Sequence, residues 1–201
     1  MERPLLTRTQ EFLINKLPDM PPAMQEDYSK GRLNFSDSVY FIRYEVTGGS
    51  NIVDLLHNDD AVVNGICNIA RQKIRQGCAI MVDRITARAG YVATGGTETV
   101  ADIEYKPIAD IASVCPALAN SELELDIAQL NTVQVPISAF AQESVGIDGS
   151  QDGFILTAPK LITDSQELML SLRVPKGSTI DGTTNRYFVE ICLRGAEIRV
   201  K

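Results

Sequence analysis

The sequence predicts an all-β protein, an antiparallel β-sandwich or barrel preceded by a short N-terminal arm. Three observations lead to this fold class. About nine or ten segments alternate apolar with polar residues, which is the period of a strand buried on one face. Clusters of glycine, asparagine, aspartate and proline separate these segments, and few stretches have helical periodicity. Short strands without intervening helices are typical of antiparallel sheets rather than of βαβ units.

The first 37 residues differ in pattern from the rest of the chain. The apolar stripe of a short amphipathic helix is formed by Phe12, Leu13, Ile14 and Leu17. The proline-rich residues 18–24 are expected to end this helix, because proline lacks the amide hydrogen that would continue it. We therefore predict an arm over residues 1–37, a helix and then an extended linker, which either packs on its own domain or reaches a neighbouring copy. Residues 38–201 would form the sandwich domain.

The sandwich domain opens with two predicted strands. From Ser38 onward, "VYFIRYEV" alternates between two faces, and the glycine-rich "TGGSN" then turns the chain into a second strand, "NIVDLL". Residues 58–77 have two interpretations, a helix over residues 60–76 or a strand with a loop in which Gly65 interrupts the helix. The densest positive patch of this acidic chain lies here and comprises Arg71, Lys73 and Arg75.

The middle of the chain contains further predicted strands joined by turns. In "CAIMVDRITARAGYV" the apolar positions change from even to odd numbers near Asp83 and Arg84, and "TETVADIEY" is predicted as another strand. "SELELDI" and "TVQVPISAF" form a hairpin in which Pro136 marks a strand end or an edge. "FILTAPKLI" and "ELMLSLRV" supply two more strands.

The last predicted strand, "RYFVEICLRGAEIRV", changes parity at Gly195. Its apolar residues are odd-numbered up to Leu193 and even-numbered from Ala196. Because side chains alternate between the two faces of a strand, one inserted residue exchanges the parity that points inward. We predict a β-bulge at Gly195 that keeps both halves in a single core, since glycine readily adopts the left-handed conformation of a bulge. The alternative is a turn at Gly195 between two separate strands.

Composition and charge argue against several classes of function. A net charge of −7 and a pI near 4.8 oppose strong nucleic-acid binding through bulk electrostatics. The four cysteines are scattered without a CxxC pair, so we expect buried free thiols in a reducing cytoplasm rather than disulfides or a zinc site. The start of the chain has no apolar run behind a basic stretch, and we expect no secretory signal. No segment has the roughly 18 apolar residues of a membrane helix.

No group of residues in the sequence has the pattern of a catalytic or metal site, and we predict no catalytic, cofactor-binding or metal-ligating residue. His57, the only histidine, is expected to be a solvated loop residue. Glu122 and Glu124 alternate with leucines on one strand, which predicts a solvated sheet face, because hydrolytic carboxylate pairs usually face each other across a cleft. We therefore expect that the chain is not an enzyme and needs no cofactor.

From "NFSDSVYFIRYEV" to the last strand, the order of these segments resembles the jelly-roll capsid proteins of tailless icosahedral bacteriophages, including lipid-containing kinds. The stretches "FILTAPKLITDSQELMLSLRVPKG" and "NRYFVEICLRGAEIRV" carry the resemblance best. The resemblance implies a single jelly roll without catalytic residues, made in the host cytoplasm and built into the virion. Its partners would be copies of itself and other virion proteins, with a viral membrane nearby in a lipid-containing particle.

These expectations combine in a virion structural protein, a homo-oligomer that self-assembles through buried contacts between copies. The candidate contact residues are Phe12, Leu13 and Leu17 on the arm helix, Arg71, Lys73 and Arg75 in the basic loop, and Glu122 and Glu124 on the acidic strand. The alternative hypothesis is a receptor- or carbohydrate-binding β-sandwich module of a spike or fibre. Such modules usually stack sugars on exposed aromatic residues, and the chain has no tryptophan.

Overall fold

The computed structural model describes residues 8–141 and 153–200, with the side chains of residues 8–10, 13, 131, 132, 141 and 200 outside the description. Within these residues the strands are β1 (Leu33–Glu45), β2 (Ile52–Asp54), β3 (Cys78–Ala93), β4 (Lys106–Pro107), β5 (Glu122–Ile127), β6 (Leu130–Pro136), β7 (Phe154–Thr163), β8 (Leu168–Arg173) and β9 (Asn185–Val200). The α-helices are α1 (Arg8–Asn15), α2 (Pro22–Ser29), α3 (Ile108–Ile111) and α4 (Pro116–Ala119), and 3-10 turns occupy Leu17–Asp19 and Ile137–Ala141. None of the described helices is long and apolar enough to span a membrane.

The strands form two antiparallel sheets arranged as a sandwich, which confirms the prediction of an all-β antiparallel sandwich. The first sheet has the order β1-β9-β3, with β7 beside the first half of β3 and β4 beside its second half. The second sheet has the order β2-β8-β5-β6. β5 and β6 form the predicted hairpin, which ends at Pro136. If the two-residue β4 is set aside, each connection between consecutive described strands passes from one sheet to the other, except the β5–β6 hairpin.

The main hydrophobic core lies between the two sheets and follows the alternation seen in the sequence. The inward side chains of β5 and β8 are Leu123, Leu125, Ile127, Leu168, Leu170 and Leu172. Each side chain of this size contributes roughly 1.5–3 kcal/mol when it is fully removed from water. The stability of the sandwich therefore depends mainly on this inter-sheet layer.

The change of apolar parity in the sequence of β3 is caused by a β-bulge. β3 pairs with β9 in one register up to Val82 and in another from Arg84, so that Asp83 is the extra residue. Before the bulge the core-facing side chains are even-numbered, such as Ile80, and after it they are odd-numbered, such as Ile85. The inserted residue exchanges the faces, as expected for a period of two.

The prediction of a bulge at Gly195 is wrong, and so is the alternative of a turn. β9 is continuous, and its pairing with β1 passes Ser38 and Gly195 without a register shift. The apolar parity of β9 changes because its two halves bury opposite faces. Leu193 lies in the core between the sheets, whereas Ala196 and Ile198 lie in a second apolar cluster on the outer side of the first sheet.

The N-terminal arm forms this second cluster by packing on its own domain, which is one of the two alternatives predicted for it. The buried arm residues are Leu17, Met20 and Met24, and the sheet residues beneath them are Ala79, Met81, Ala196 and Ile198. The predicted extended linker is wrong, because α2 follows the 3-10 turn. Pro22 occupies the first position of α2, where its missing amide hydrogen breaks no helical hydrogen bond. β1 begins at Leu33 rather than at the predicted Ser38.

Two segments between strands differ from the predicted elements. Residues 58–77 form a series of turns with isolated bridges, so the helix over residues 60–76 is wrong. The alternative was right about a loop interrupted at Gly65, which lies in a turn with a φ angle of 76°, but no strand forms here. Residues 97–105, predicted as a strand, form no strand and cross the outer face of β3. Gly90 makes room for this crossing, since a Cβ atom there would lie 2.6 Å from the carbonyl oxygen of Glu104. The short helices α3 and α4 have no counterpart in the prediction.

All four cysteines are free and buried, as the sequence predicts. Burial raises the pKa of the thiols of Cys67, Cys78, Cys115 and Cys192 above the ordinary value. Because the thiolate is the reactive form, these side chains behave as small apolar core residues.

Candidate functional site

The basic loop, defined as residues 70–76, exposes all three positive side chains predicted to make contacts. Arg71, Lys73 and Arg75 are exposed, whereas the intervening Gln72 and Ile74 are buried. Arg71 and Gln72 form the centre of a turn with φ angles of 50° and 58°. A left-handed conformation costs a non-glycine residue roughly 1–2 kcal/mol, so the surrounding structure must hold this turn in place.

Backbone hydrogen bonds and core packing anchor the basic loop to the second sheet. The carbonyl oxygen of Gln72 accepts a hydrogen bond of 2.7 Å from the amide of Leu168, the first residue of β8. The side-chain amide of Gln72 donates to the carbonyl oxygen of Leu56 at 3.2 Å. Ile74 lies in the main core. The three cations therefore project from a turn that is anchored to the rest of the domain.

The acidic face is defined as the outer surface of the second sheet and carries the carboxylates of Asp54, Glu122, Glu124 and Asp126. Glu122, Glu124 and Asp126 alternate with the inward-facing side chains of β5. Asp54 lies in the same row as Glu124, with Ser171 of β8 between them. The expectation of a solvated face is wrong for Glu124, which is 6% exposed. It accepts a hydrogen bond from Nε of Arg173 on the neighbouring β8, and this ion pair raises the pKa of Arg173.

The other three carboxylates of the acidic face form no ion pair within the described residues, although Arg173 stands in register with Glu122. No ion pair within the described residues reaches Asp54, Glu122 or Asp126, and Glu122 accepts only a hydrogen bond of 2.8 Å from the side-chain amide of Gln134. Oδ1 of Asp126 is buried and has no hydrogen-bond partner in the described part of the chain. A buried carboxylate oxygen without a hydrogen-bond donor lowers the stability of the fold, and this face lacks such a donor within the described residues.

The structure places the three predicted arm contacts in different environments. Phe12 on α1 is 38% exposed, whereas Leu17 is 7% exposed and packs against its own first sheet. The side chain of Leu13 lies outside the described residues. The contact of these residues with a neighbouring copy stays a prediction, and Leu17 could take part only if the arm left its own domain.

A buried polar network at one end of the first sheet has no counterpart in the sequence-based predictions. Glu197 is 3% exposed, and its Oε2 accepts hydrogen bonds from the hydroxyls of Tyr40 at 2.8 Å and Ser38 at 3.0 Å. Burial, followed by the nearby Glu197 carboxylate, raises the pKa of Tyr40. The sequence did contain a signal for this network. Glu197 is odd-numbered, like the core residues Ile191 and Leu193 of the same strand.

His57 is half-buried rather than solvated. Its Nε2 lies 3.2 Å from the hydroxyl of Tyr44, and its backbone amide donates to Oδ2 of Asp60 at 2.7 Å. These contacts position the loop before residues 58–77. Within the two described stretches of the chain, no group of three or more histidine, cysteine, aspartate or glutamate side chains could hold a metal ion.

A bidentate ion pair joins the edge strand β1 to β9 and predicts that the stability of the fold depends on pH. Nε and Nη2 of Arg186 donate to Glu45 at 3.0 and 2.6 Å, and these bonds hold the pKa of Glu45 below its usual value of 4.5. A lowered pKa means that the pair stabilises the fold above about pH 4.5 and loses this effect as the pH falls through the lowered pKa.

Replacing the guanidinium is expected to move the titration of Glu45. In Arg186→Gln the pKa of Glu45 should rise towards its ordinary value, as followed by NMR titration of the side-chain carboxyl carbon. The difference in unfolding free energy between the natural protein and this variant should shrink as the pH is lowered below about 4.5. Arg32→Gln, which removes an exposed cation 3.7 Å from Asp27, should leave the Glu45 titration unchanged. An unchanged pKa in Arg186→Gln contradicts the assignment.

Comparisons with protein-family models, with curated proteins and with solved structures find no match to this chain.

Proposed function

We propose that the chain is a capsid structural protein of an icosahedral bacteriophage, a single jelly roll that self-assembles into the shell or the vertices of the particle. It would be made in the host cytoplasm and become part of the virion, with other copies and other virion proteins as its partners. The observation that carries the proposal is the nested pairing of the eight longer strands. β1 pairs with β9, β2 with β8, β3 with β7 and β5 with β6.

This nested pairing supports the jelly-roll assignment. It is the pattern of one long antiparallel hairpin rolled into a sandwich, in which two four-stranded sheets arise from alternating crossovers. Jelly rolls occur in viral capsids and in lectin domains, so the strand order by itself identifies a fold rather than a function. The resemblance of the β7–β8 and β9 stretches to phage capsid proteins favours the shell.

The charge distribution supports self-assembly. The chain carries a net charge of −7, yet it keeps three exposed cations together on the basic loop and four carboxylates together on the acidic face. Copies of such a molecule are complementary to one another, because a positive surface on one copy can meet a negative surface on the next. Repetition of a modest contact by symmetry yields a stable closed assembly.

Size-exclusion chromatography with light scattering tests the proposal. The full chain is expected to change, as its concentration rises from low to high micromolar, from a 22.0 kDa monomer to discrete multiples of that mass. A purely monomeric protein across this range contradicts self-assembly. If that monomer also binds glycans on an array, the carbohydrate-binding alternative takes its place.

A further inference from the structure

We propose that the basic loop of one copy docks on the acidic face of a second copy. The inference rests on the proposed function, because it names the two surfaces through which copies would join. The partner is identified by its chemistry, a flat sheet surface with several carboxylates and too few cations. The chain itself carries such a surface, so that a second copy of the chain fits the basic loop.

The three cations of the basic loop are available for this contact. Arg71, Lys73 and Arg75 are exposed, and no side-chain hydrogen bond or ion pair engages them within the described residues. The left-handed turn at Arg71 and Gln72 holds them on one protruding element. A fixed turn loses little conformational freedom when it binds, which favours its use as a contact. Arginine can also bind a carboxylate through two parallel hydrogen bonds.

The acidic face offers three carboxylates that form no ion pair within the described residues. Arg173 is engaged by Glu124, whereas Asp54, Glu122 and Asp126 lack an ion pair in the described part of the chain. Oδ1 of Asp126 is the one buried oxygen on this face that the described residues leave without a donor. Asp126 as a whole is half-buried, so that an arriving cation would offset the charge of this carboxylate from the solvent side.

Apolar side chains on the acidic face would add to the electrostatic contact. Ile52 and Met169 stand in register with Arg173 and Asp126, and they are 52% and 36% exposed. The aliphatic stems of arginine and lysine pack well on such side chains while their charged ends reach the carboxylates. The face therefore matches the basic loop in both charge and apolar character.

The size of the acidic face sets the strength of a single contact. It spans four strands roughly 4.8 Å apart and three rows of side chains roughly 6.8 Å apart, which amounts to on the order of 300–400 Å². A stable interface of standard size buries about 800 Å² on each partner. One contact alone would be weak and sensitive to salt, and it would become stable only when it is repeated around a closed assembly.

Charge reversal on each surface, followed by mixing, tests the inference. The loop variant carries Arg71→Glu, Lys73→Glu and Arg75→Glu, and the face variant carries Asp54→Lys, Glu122→Lys and Asp126→Lys. A control with Lys30→Glu, Lys106→Glu and Lys176→Glu changes the net charge as much as the loop variant does, at exposed positions elsewhere. Sedimentation velocity measures the self-association of each protein, and thermal unfolding verifies that each one is folded.

Each surface variant alone should associate at least tenfold more weakly than the natural chain, because its loop and its face carry the same sign. The equimolar mixture should regain the association, since a reversed loop can then meet a reversed face and a natural loop can meet a natural face, each of opposite sign. The control should associate like the natural chain. If the natural chain assembles and both variants assemble equally well, or if the mixture fails to recover, the docking inference is wrong and the proposed function stands. If the natural chain never assembles, both are wrong.

Discussion

Replacing Gly195 by alanine is expected to lower the unfolding free energy by about 3 kcal/mol. The bulge of β3 brings its backbone against β9 at this residue. A Cβ atom on residue 195 would overlap the carbonyl oxygen of Met81 and would lie 2.8 Å from its carbonyl carbon and 3.0 Å from Cα of Val82. These are backbone atoms in the central pair of strands, so they cannot move aside as a flexible side chain could.

Urea denaturation measures this effect, with the midpoint expected to shift and the slope expected to stay constant. Gly177→Ala is the matched control. Gly177 has a φ angle of 82° and open space around its Cα, so an added methyl group there meets only the backbone penalty of roughly 1 kcal/mol. If the two variants lose similar stability, the close approach of β3 to β9 does not explain the glycine.

Truncation of Glu197 to alanine is expected to cost about 4 kcal/mol, because it removes the acceptor of the buried Tyr40 hydroxyl and the half-buried Ser38 hydroxyl and leaves a cavity. Tyr40 is 1% exposed, and its hydroxyl has no solvent to replace the lost carboxylate. Tyr40→Phe should cost less, about 1–2 kcal/mol, since Ser38 still donates to Glu197 in that variant.

A double-mutant cycle separates this network from simple loss of volume. The combined variant Tyr40→Phe and Glu197→Ala should be more stable than the sum of the two single effects predicts, with a coupling of about 1 kcal/mol or more. Glu122→Ala, on the more accessible acidic face, is the control and should change stability by less than about 1 kcal/mol. Strictly additive effects would show that the two side chains do not depend on each other.

The elements with strong alternation were predictable because one face of each is buried and the other is polar. β5 and β8 show this pattern, and the change of parity near Asp83 in the sequence coincides with a bulge in the structure. The pattern of β9 predicted a bulge that is absent from this strand, and the reason is physical. The numbering of the apolar residues shows which face of a strand is apolar, but it does not show which side of the sheet another element covers. The N-terminal arm covers the outer side of this sheet, where Ile198 lies.

Elements that depend on distant contacts were the ones the sequence could not predict. Residues 97–105 look like a strand by composition, yet they cross β3 at a glycine whose position becomes relevant only in the folded chain. α2 begins at a proline that composition alone treats as a helix breaker. Among the candidate site residues, the cations of the basic loop are exposed, as a contact with another copy requires, whereas the burial of Glu124 depends on Arg173, which is 49 residues away.

Electron microscopy of the purified full chain, above the concentration at which light scattering detects association, tests most directly the claim that this sandwich is built to join copies of itself. The account predicts closed particles of uniform diameter, in which the repeating unit has the size of one β-sandwich or a small symmetric group of them. Fields of separate monomers, or aggregates without a regular repeat, would contradict it.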